Sequence, residues 1–389
     1  MKSFTYLIIG GGMAGHAAAQ GIRELDPDGS LAILGDDPSP PYARPPLSKG
    51  LWTGKPPESV FLPPVSGLEL MTGRRAVALD LAAHLVRDAR GEAYQYEKLL
   101  LATGGRPRQL ATGEGRVVYL RTLADFHHLA AAGPEVVVLG AGFIGSEIAS
   151  SLRQTGRAVT LIMRERSIGE RSYPAALSRF VTDYFAEKGV RLLAQQEVES
   201  IEEEHGRTVV RTAAGEEVHA DAVVAGFGID PDTDLARKAG IAVGDGIEVD
   251  EQLRTSAAGV WAAGDVASFP CRALGGRVRI EHEDNALTMG RAAGRSMAGA
   301  NAVYDHLPFF YSDLFDLGYE AVGRLDARAD IVESWSELGR QGVCYYLFDG
   351  RVKGVLLWGT FGMVDAAREL IRREGPVRRE ELALALAPR

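Results

Sequence analysis

The sequence predicts an α/β fold: two Rossmann-like dinucleotide-binding domains followed by a C-terminal α+β domain. Three observations carry this expectation. An apolar strand, a glycine-rich turn and an Ala-rich helical stretch recur in that order at 4–21 and at 135–152. Both turns have the spacing Gly-x-Gly-x-x-Gly. From about His306 the pattern changes to strand-like segments, including 342–348 and 354–358, ahead of a helical stretch at 363–374. At roughly 150 residues per domain, a chain of 389 residues has room for two to three domains.

The first unit opens with an apolar strand at 6–9, which runs into Gly10-x-Gly12-x-x-Gly15. Gly10 permits the tight turn, Gly12 lets the backbone approach a pyrophosphate, and Gly15 lets the helix pack closely on the strand. The start of that helix offers unpaired N–H groups and a positive dipole end to phosphates. Asp36 lies 21 residues after Gly15, at the end of the apolar strand 31–34, where a carboxylate can bind ribose hydroxyls.

The stretch 38–64 is rich in proline, which disfavours helix and sheet ladder alike. Its Tyr42, Arg44, Lys49 and Trp52 point to an ordered loop against a ligand. Gly133-Pro134 reads as a turn before the second unit. That unit has its strand at 136–139 and its turn at Gly140-x-Gly142-x-x-Gly145. Glu165 lies 20 residues after Gly145, just beyond the apolar run 159–163. Arg164 before it could accept a 2′-phosphate, whereas Glu165 would repel one. NADH is therefore the expected donor, with NADPH as the alternative. Two complete fingerprints imply two dinucleotides, and the natural pairing is a flavin with a nicotinamide. The segment 190–221 alternates like hairpin strands with a turn near 204–207, and the acidic run 202–204 reads as a solvated turn. His127 and His128 read as surface residues of a helix, and Trp358 as core.

Composition bounds the function classes. The chain is 46% hydrophobic and 24% charged, as ordinary globular proteins are. A net charge of −9 disfavours binding to nucleic acid. No segment reaches the about 18 uninterrupted apolar residues of a membrane span, and the run at 6–9 is too short for a signal sequence. The only cysteines, Cys271 and Cys344, form no metal or disulfide framework and point to a reducing, cytoplasmic setting.

Several motifs resemble the FAD-dependent pyridine nucleotide-disulfide oxidoreductase superfamily, in the branch of apoptosis-inducing factor and bacterial NADH–ferredoxin reductases. They are PYARPPLSKGLW (41–52), YEKLLLATGGRPR (96–108), VWAAGDVA (260–267), IEHEDNA (280–286), FYSDLFDLGYEAVG (310–323) and VLLWGTF (355–361). The resemblance implies a discontinuous FAD domain at 1–110 and 228–305, an NAD(P)H domain at 111–227, and a C-terminal interface domain at 306–389. It implies FAD contacts from Gly10, Gly12, Met13, Ala14, Gly15, Asp36, Arg44, Lys49, Ala76, Thr103, Gly104, Arg121, Asp265, Glu281, His282 and Tyr311. Nicotinamide-dinucleotide contacts are implied for Gly140, Gly142, Phe143, Ile144, Gly145, Glu147, Glu165, Arg171, Gly228 and Glu281.

Lys49 and Glu147 are the expected catalytic pair, with Lys49 near the flavin N5 and Glu147 fixing its position. Tyr311 stands where the family has a stacking tryptophan. The acidic chain and the short region 326–343 depart from apoptosis-inducing factor, so death signalling and DNA binding are not expected. Disulfide reductases of the superfamily set redox thiols beside the flavin, and no cysteine precedes Cys271. The expected function is hydride transfer from NADH to FAD, with electrons passed to a ferredoxin-like carrier, a quinone or oxygen. The alternative is a redox-sensing flavoprotein with slow turnover and NADH-linked homodimerisation.

Overall fold

The computed structural model describes residues 1–386, so the last three positions of the expected domain 306–389 lie outside the described residues. The chain divides into two units. One comprises 1–44, 58–106 and 230–308; the other comprises 45–57, 107–229 and 309–389.

In the first unit, the apolar run 6–9 is the end of an eight-residue strand, Lys2–Ile9. It pairs in parallel with Leu31–Leu34 on one side and with Ala93–Leu101 on the other. All four residues of Leu31–Leu34 are buried, as expected of a parallel strand covered on both faces. Leu68–Met71 extends this side of the sheet, and the half-exposed antiparallel strands Leu85–Asp88 and Ala76–Asp80 form the other edge. Val260–Ala262 joins Ala93–Leu101 in parallel, so a segment about 160 residues downstream returns to the same sheet.

The helix Met13–Arg23 buries nine of its residues and packs against the helix Glu283–Met297. Only small residues allow this approach. A Cβ on Gly290 would stand 2.3 Å from the Ala14 carbonyl oxygen, and one on Gly294 would stand 2.0 Å from that of Ala18.

In the second unit, five parallel strands run in the order Arg191–Leu193, Ala158–Ile162, Glu135–Leu139, Ala222–Ala225, Val117–Tyr119. A three-stranded antiparallel sheet, Val198–Glu204, Arg207–Thr212 and Glu217–Ala220, shares their hydrophobic core. The hairpin turn lies at His205–Gly206, within the expected 204–207, but the acidic run before it ends a strand. Glu202 and Glu204 both pair with Arg211 across the hairpin, which offsets the like-charge repulsion along the strand. His127 and His128 are exposed on the helix Leu123–Ala130.

The proline-rich stretch 45–57 also belongs to this unit. Leu47, Leu51 and Trp52 are buried, and the Trp52 indole donates to the Leu47 carbonyl while meeting Phe126 edge-on. The C-terminal part is a five-stranded antiparallel sheet ordered Phe309–Leu314, Leu317–Gly323, Arg351–Trp358, Gln341–Phe348, Asp330–Glu337, with the helices Val364–Arg372 and Arg379–Ala385. Trp358 is fully buried, stacked on Tyr319. No helix among the described residues is long and apolar enough to cross a membrane.

Candidate functional site

The first glycine turn follows the strand Lys2–Ile9. Gly10 has φ of +120°, and a Cβ there would lie 2.0 Å from the Ala102 carbonyl oxygen. A Cβ on Gly15 would lie 2.0 Å from the Gly10 carbonyl oxygen. Glycine is therefore required at both positions for strand and helix to meet. The Arg44 guanidinium covers Gly12, its Nη1 being 3.2 Å from where a Cβ would be. The helix Met13–Arg23 starts with no side-chain cap and no acidic residue in its first turn, so its N-terminal amides suit a phosphate. Met13 and Ala14 are buried.

The other residues of the first unit surround this frame. Asp36 is exposed past the end of Leu31–Leu34, with Arg75 3.9 Å away. Ala76 is half-buried at the start of an edge strand. Thr103 donates to the Asp232 carbonyl at 2.7 Å, next to Gly104 with φ of +65°. Asp265 sits in the short 3-10 turn Gly264–Val266; a Cβ on Gly264 would meet the Ala14 side chain at 2.8 Å, so that turn lies against the start of the helix. Arg279 donates to the Asp265 carbonyl and pairs with Glu281 at 2.6 Å. His282 is the residue that precedes the helix Glu283–Met297, without a side-chain capping bond to it. Burial pushes its imidazole down to about 4, against the opposing pull of Asp265 and Asp284.

Lys49, Arg121 and Tyr311 fall in the second unit, together with the second glycine turn. Gly140 has φ of +93°, and a Cβ on Gly145 would lie 1.8 Å from the Gly140 carbonyl oxygen. Around Gly142 nothing lies within 4 Å of a Cβ, which leaves an open cradle at the start of an uncapped helix, Phe143–Gln154. Phe143 is half-buried with its ring 5.1 Å from that of Phe310, and Ile144 is 42% exposed. Gly228 has φ of +80°, and its carbonyl accepts from the Arg108 amide. Glu165 pairs with Arg171 at 2.8 Å, whereas Arg164 is directed to Glu197 at 3.3 Å. Arg121 donates its amide to Asp125, next to the capping box of the helix Leu123–Ala130. Both turns thus fit a dinucleotide pyrophosphate: a tight glycine entry, close helix–strand packing and free amides.

The third feature is a buried carboxylate. Glu147, on the second-turn helix, is 2% exposed. One oxygen accepts from the Ser48 hydroxyl and from Lys49, both at 2.7 Å; the other accepts from the Ser312 hydroxyl at 2.7 Å. Lys49 also lies 5.1 Å from the centre of the Tyr311 ring, a cation–π contact. A buried carboxylate is tolerated because its charge is paired and both oxygens are bonded. The sequence signals Lys49 and Glu147 but not the two serines. Ser48 adjoins Lys49 and Ser312 adjoins Tyr311, and that adjacency is the only signal available. The two cysteines are buried thiols, Cys344 in the C-terminal sheet, where desolvation raises its thiol well above the ordinary value.

The family model described as pyridine nucleotide-disulphide oxidoreductase matches residues 4–290. Rhodocoxin reductase from Rhodococcus erythropolis is 34% identical over 97% of this chain and 92% of its own length. Apoptosis-inducing factor 1 of Dictyostelium discoideum is 31% identical over 95% of this chain and 79% of its own. Among solved structures, a ferredoxin reductase from Rhodopseudomonas palustris matches with a TM-score of 0.89 at 30% identity, covering 98% of this chain and 97% of that one. The chain belongs to the pyridine nucleotide-disulphide oxidoreductase family, in the branch that holds ferredoxin reductases and apoptosis-inducing factor. It is an FAD-dependent NAD(P)H oxidoreductase.

Proposed function

We propose that the protein is an NADH-dependent reductase that feeds a small ferredoxin-like electron carrier, without a redox disulfide. When bound, FAD would supply the redox chemistry that links hydride from NADH to electron delivery to the carrier. The observation that carries this reading is the pair of complete glycine cradles in a chain whose two thiols are both buried. Kinship to rhodocoxin reductase and to a ferredoxin reductase supports a small protein acceptor. On this reading the FAD domain is 1–110 with 228–305, the nicotinamide domain 111–227, and the interface domain 306–389. The same reading assigns the protein to the cytoplasm, a reducing compartment that suits two buried thiols.

The chain's own residues have distinct tasks. Gly10, Gly12 and Gly15, with the amides at Met13 and Ala14, bind the FAD pyrophosphate; Arg44 balances its charge and Asp36 takes a ribose. Gly140, Gly142 and Gly145 do the same for NADH, with Glu165 on the ribose of the adenosine and Arg171 holding Glu165. That carboxylate favours NADH over NADPH by repelling a 2′-phosphate. Phe143 and Tyr311 offer aromatic faces to planar rings. Lys49, held by Glu147, supplies positive charge where negative charge develops on reduction. The protein otherwise aligns the two cofactors and excludes competing reactions.

Anaerobic titration of the purified yellow protein with NADH tests the reading: the visible flavin absorbance bleaches at one equivalent, and no bleaching rejects it. Reoxidation of the reduced protein by a ferredoxin, a quinone and oxygen, side by side, then identifies the acceptor; a ferredoxin is expected to be fastest. Likeness to apoptosis-inducing factor favours a second reading, a slow redox sensor that dimerises with NADH. A mass in solution unchanged by NADH rejects that one.

A further inference from the structure

Within the second unit, the Glu147 carboxylate accepts from Ser312 and has two buried tyrosines near it. Ser312 and Tyr319 face each other across adjacent antiparallel strands. Tyr173 donates to the Tyr319 hydroxyl at 3.1 Å. Both tyrosines are about fully buried, and their rings pack edge to face, 5.8 Å apart, against Trp358.

A carboxylate oxygen accepts, so Ser312 spends its single hydroxyl proton on Glu147. The Tyr319 oxygen accepts from Tyr173. Burial raises both phenols far above their ordinary value, which keeps them neutral and able to donate. On its other oxygen Glu147 holds Ser48 and Lys49, and the Ser151 hydroxyl fixes the Ser48 carbonyl at 2.7 Å. The titratable groups around Glu147 are thus Lys49, Tyr319 and Tyr173.

We propose that Ser312 is a positioning residue that holds one oxygen of Glu147 so that the other stays directed at Lys49. The C-terminal sheet thereby reaches the lysine of the loop 45–57 through one carboxylate. Without the Ser312 hydroxyl, that buried oxygen loses its side-chain donor. The carboxylate is then free to rotate, and Lys49 loses its fixed partner.

The consequence for catalysis rests on the functional reading above; the positioning of Lys49 does not. The test compares wild type, Ser312→Ala and Ser312→Thr as purified holoprotein. The first readout is the rate at which an amine-acylating reagent labels Lys49, followed by mass spectrometry. The expected result is a three- to tenfold faster labelling in Ser312→Ala and return to the wild-type rate in Ser312→Thr. Equal labelling in wild type and Ser312→Ala overturns the proposal, as does a threonine variant that behaves like alanine.

The second readout separates the rate of flavin reduction at saturating NADH from the NADH KM. The rate should fall about three- to tenfold in Ser312→Ala, with the KM within twofold of wild type. An unchanged rate at unchanged KM also counts against the proposal. Should NADH fail to reduce even the wild type, the functional reading falls, and the labelling comparison still decides the role of Ser312.

Discussion

The two glycine turns are built alike and surrounded differently. In both, the first glycine has a positive φ and the third abuts the carbonyl of the first, at 2.0 and 1.8 Å for an added Cβ. Between those glycines the likeness stops. At the first turn Arg44 covers the middle glycine, and Met13 and Ala14 are buried. At the second the middle glycine faces open space, Phe143 is half-buried and Ile144 is exposed. The helices diverge too. The first is spent on packing, with Ala14 and Ala18 against Gly290 and Gly294; the second carries a buried charge, Glu147, one turn in. One backbone fingerprint thus serves a covered site, suited to a resident FAD, and an open one, suited to a nicotinamide that must come and go.

Matched substitutions break this comparison most severely. Gly15→Ala sets a Cβ against rigid backbone at the covered turn. We expect a loss of about 4 kcal/mol or more, seen as colourless, poorly folded protein. Gly145→Ala makes the same clash at the open turn. That variant should purify yellow, yet its absorbance should not bleach with NADH. If both variants behave alike, the distinction between resident and visiting dinucleotide fails.

Glu147→Gln keeps the shape of the second helix and removes its charge. Flavin reduction measured by stopped flow should slow about a hundredfold, the scale of losing a preorganised electrostatic group. FAD content should stay at one per chain. A loss below threefold would separate Glu147 from the chemistry.

His282 sharpens the contrast through pH. Burial lowers its folded value from 6.5 to about 4, so the unfolded chain binds a proton that the folded chain refuses. The stability it contributes is complete above pH 6.5 and is lost as pH falls toward 4, on the order of 2 kcal/mol after allowance for partial exposure. Thermal midpoints of His282→Gln should fall less than those of wild type across that window. Parallel curves would show that the imidazole titrates normally.

The smallest expected effect is at the ribose acids. Glu165 is 22% exposed and braced by Arg171, whereas Asp36 is 68% exposed. Glu165→Ala should raise the NADH KM about tenfold and narrow the preference over NADPH by a similar factor, in steady-state assays with each cofactor. An unchanged ratio would assign the selectivity to Arg164 instead.

What the sequence determined by itself is local. A strand, a glycine turn and a helix lie within some twenty consecutive residues, and the positive φ at Gly10 and Gly140 belongs to the turn itself, so both turns are legible as motifs. Lys49 and Glu147 are legible only through their motif context. Tertiary structure decided the rest. Glu147 meets Ser48 and Ser312, 99 and 165 positions away, and a serine hydroxyl carries no pattern that names its distant acceptor. The same holds where Gly290 and Gly294 meet Ala14 and Ala18. Small residues permit a close helix contact, but which helix fills it depends on a chain that leaves its sheet and returns about 160 residues later. The acidic run 202–204 shows the reverse case: its charge pattern suggests a solvated turn, and Arg211 on the facing strand makes it an edge of the sheet. Long-range partners decide these features because burial and charge pairing depend on what surrounds a side chain, not on what adjoins it in the chain.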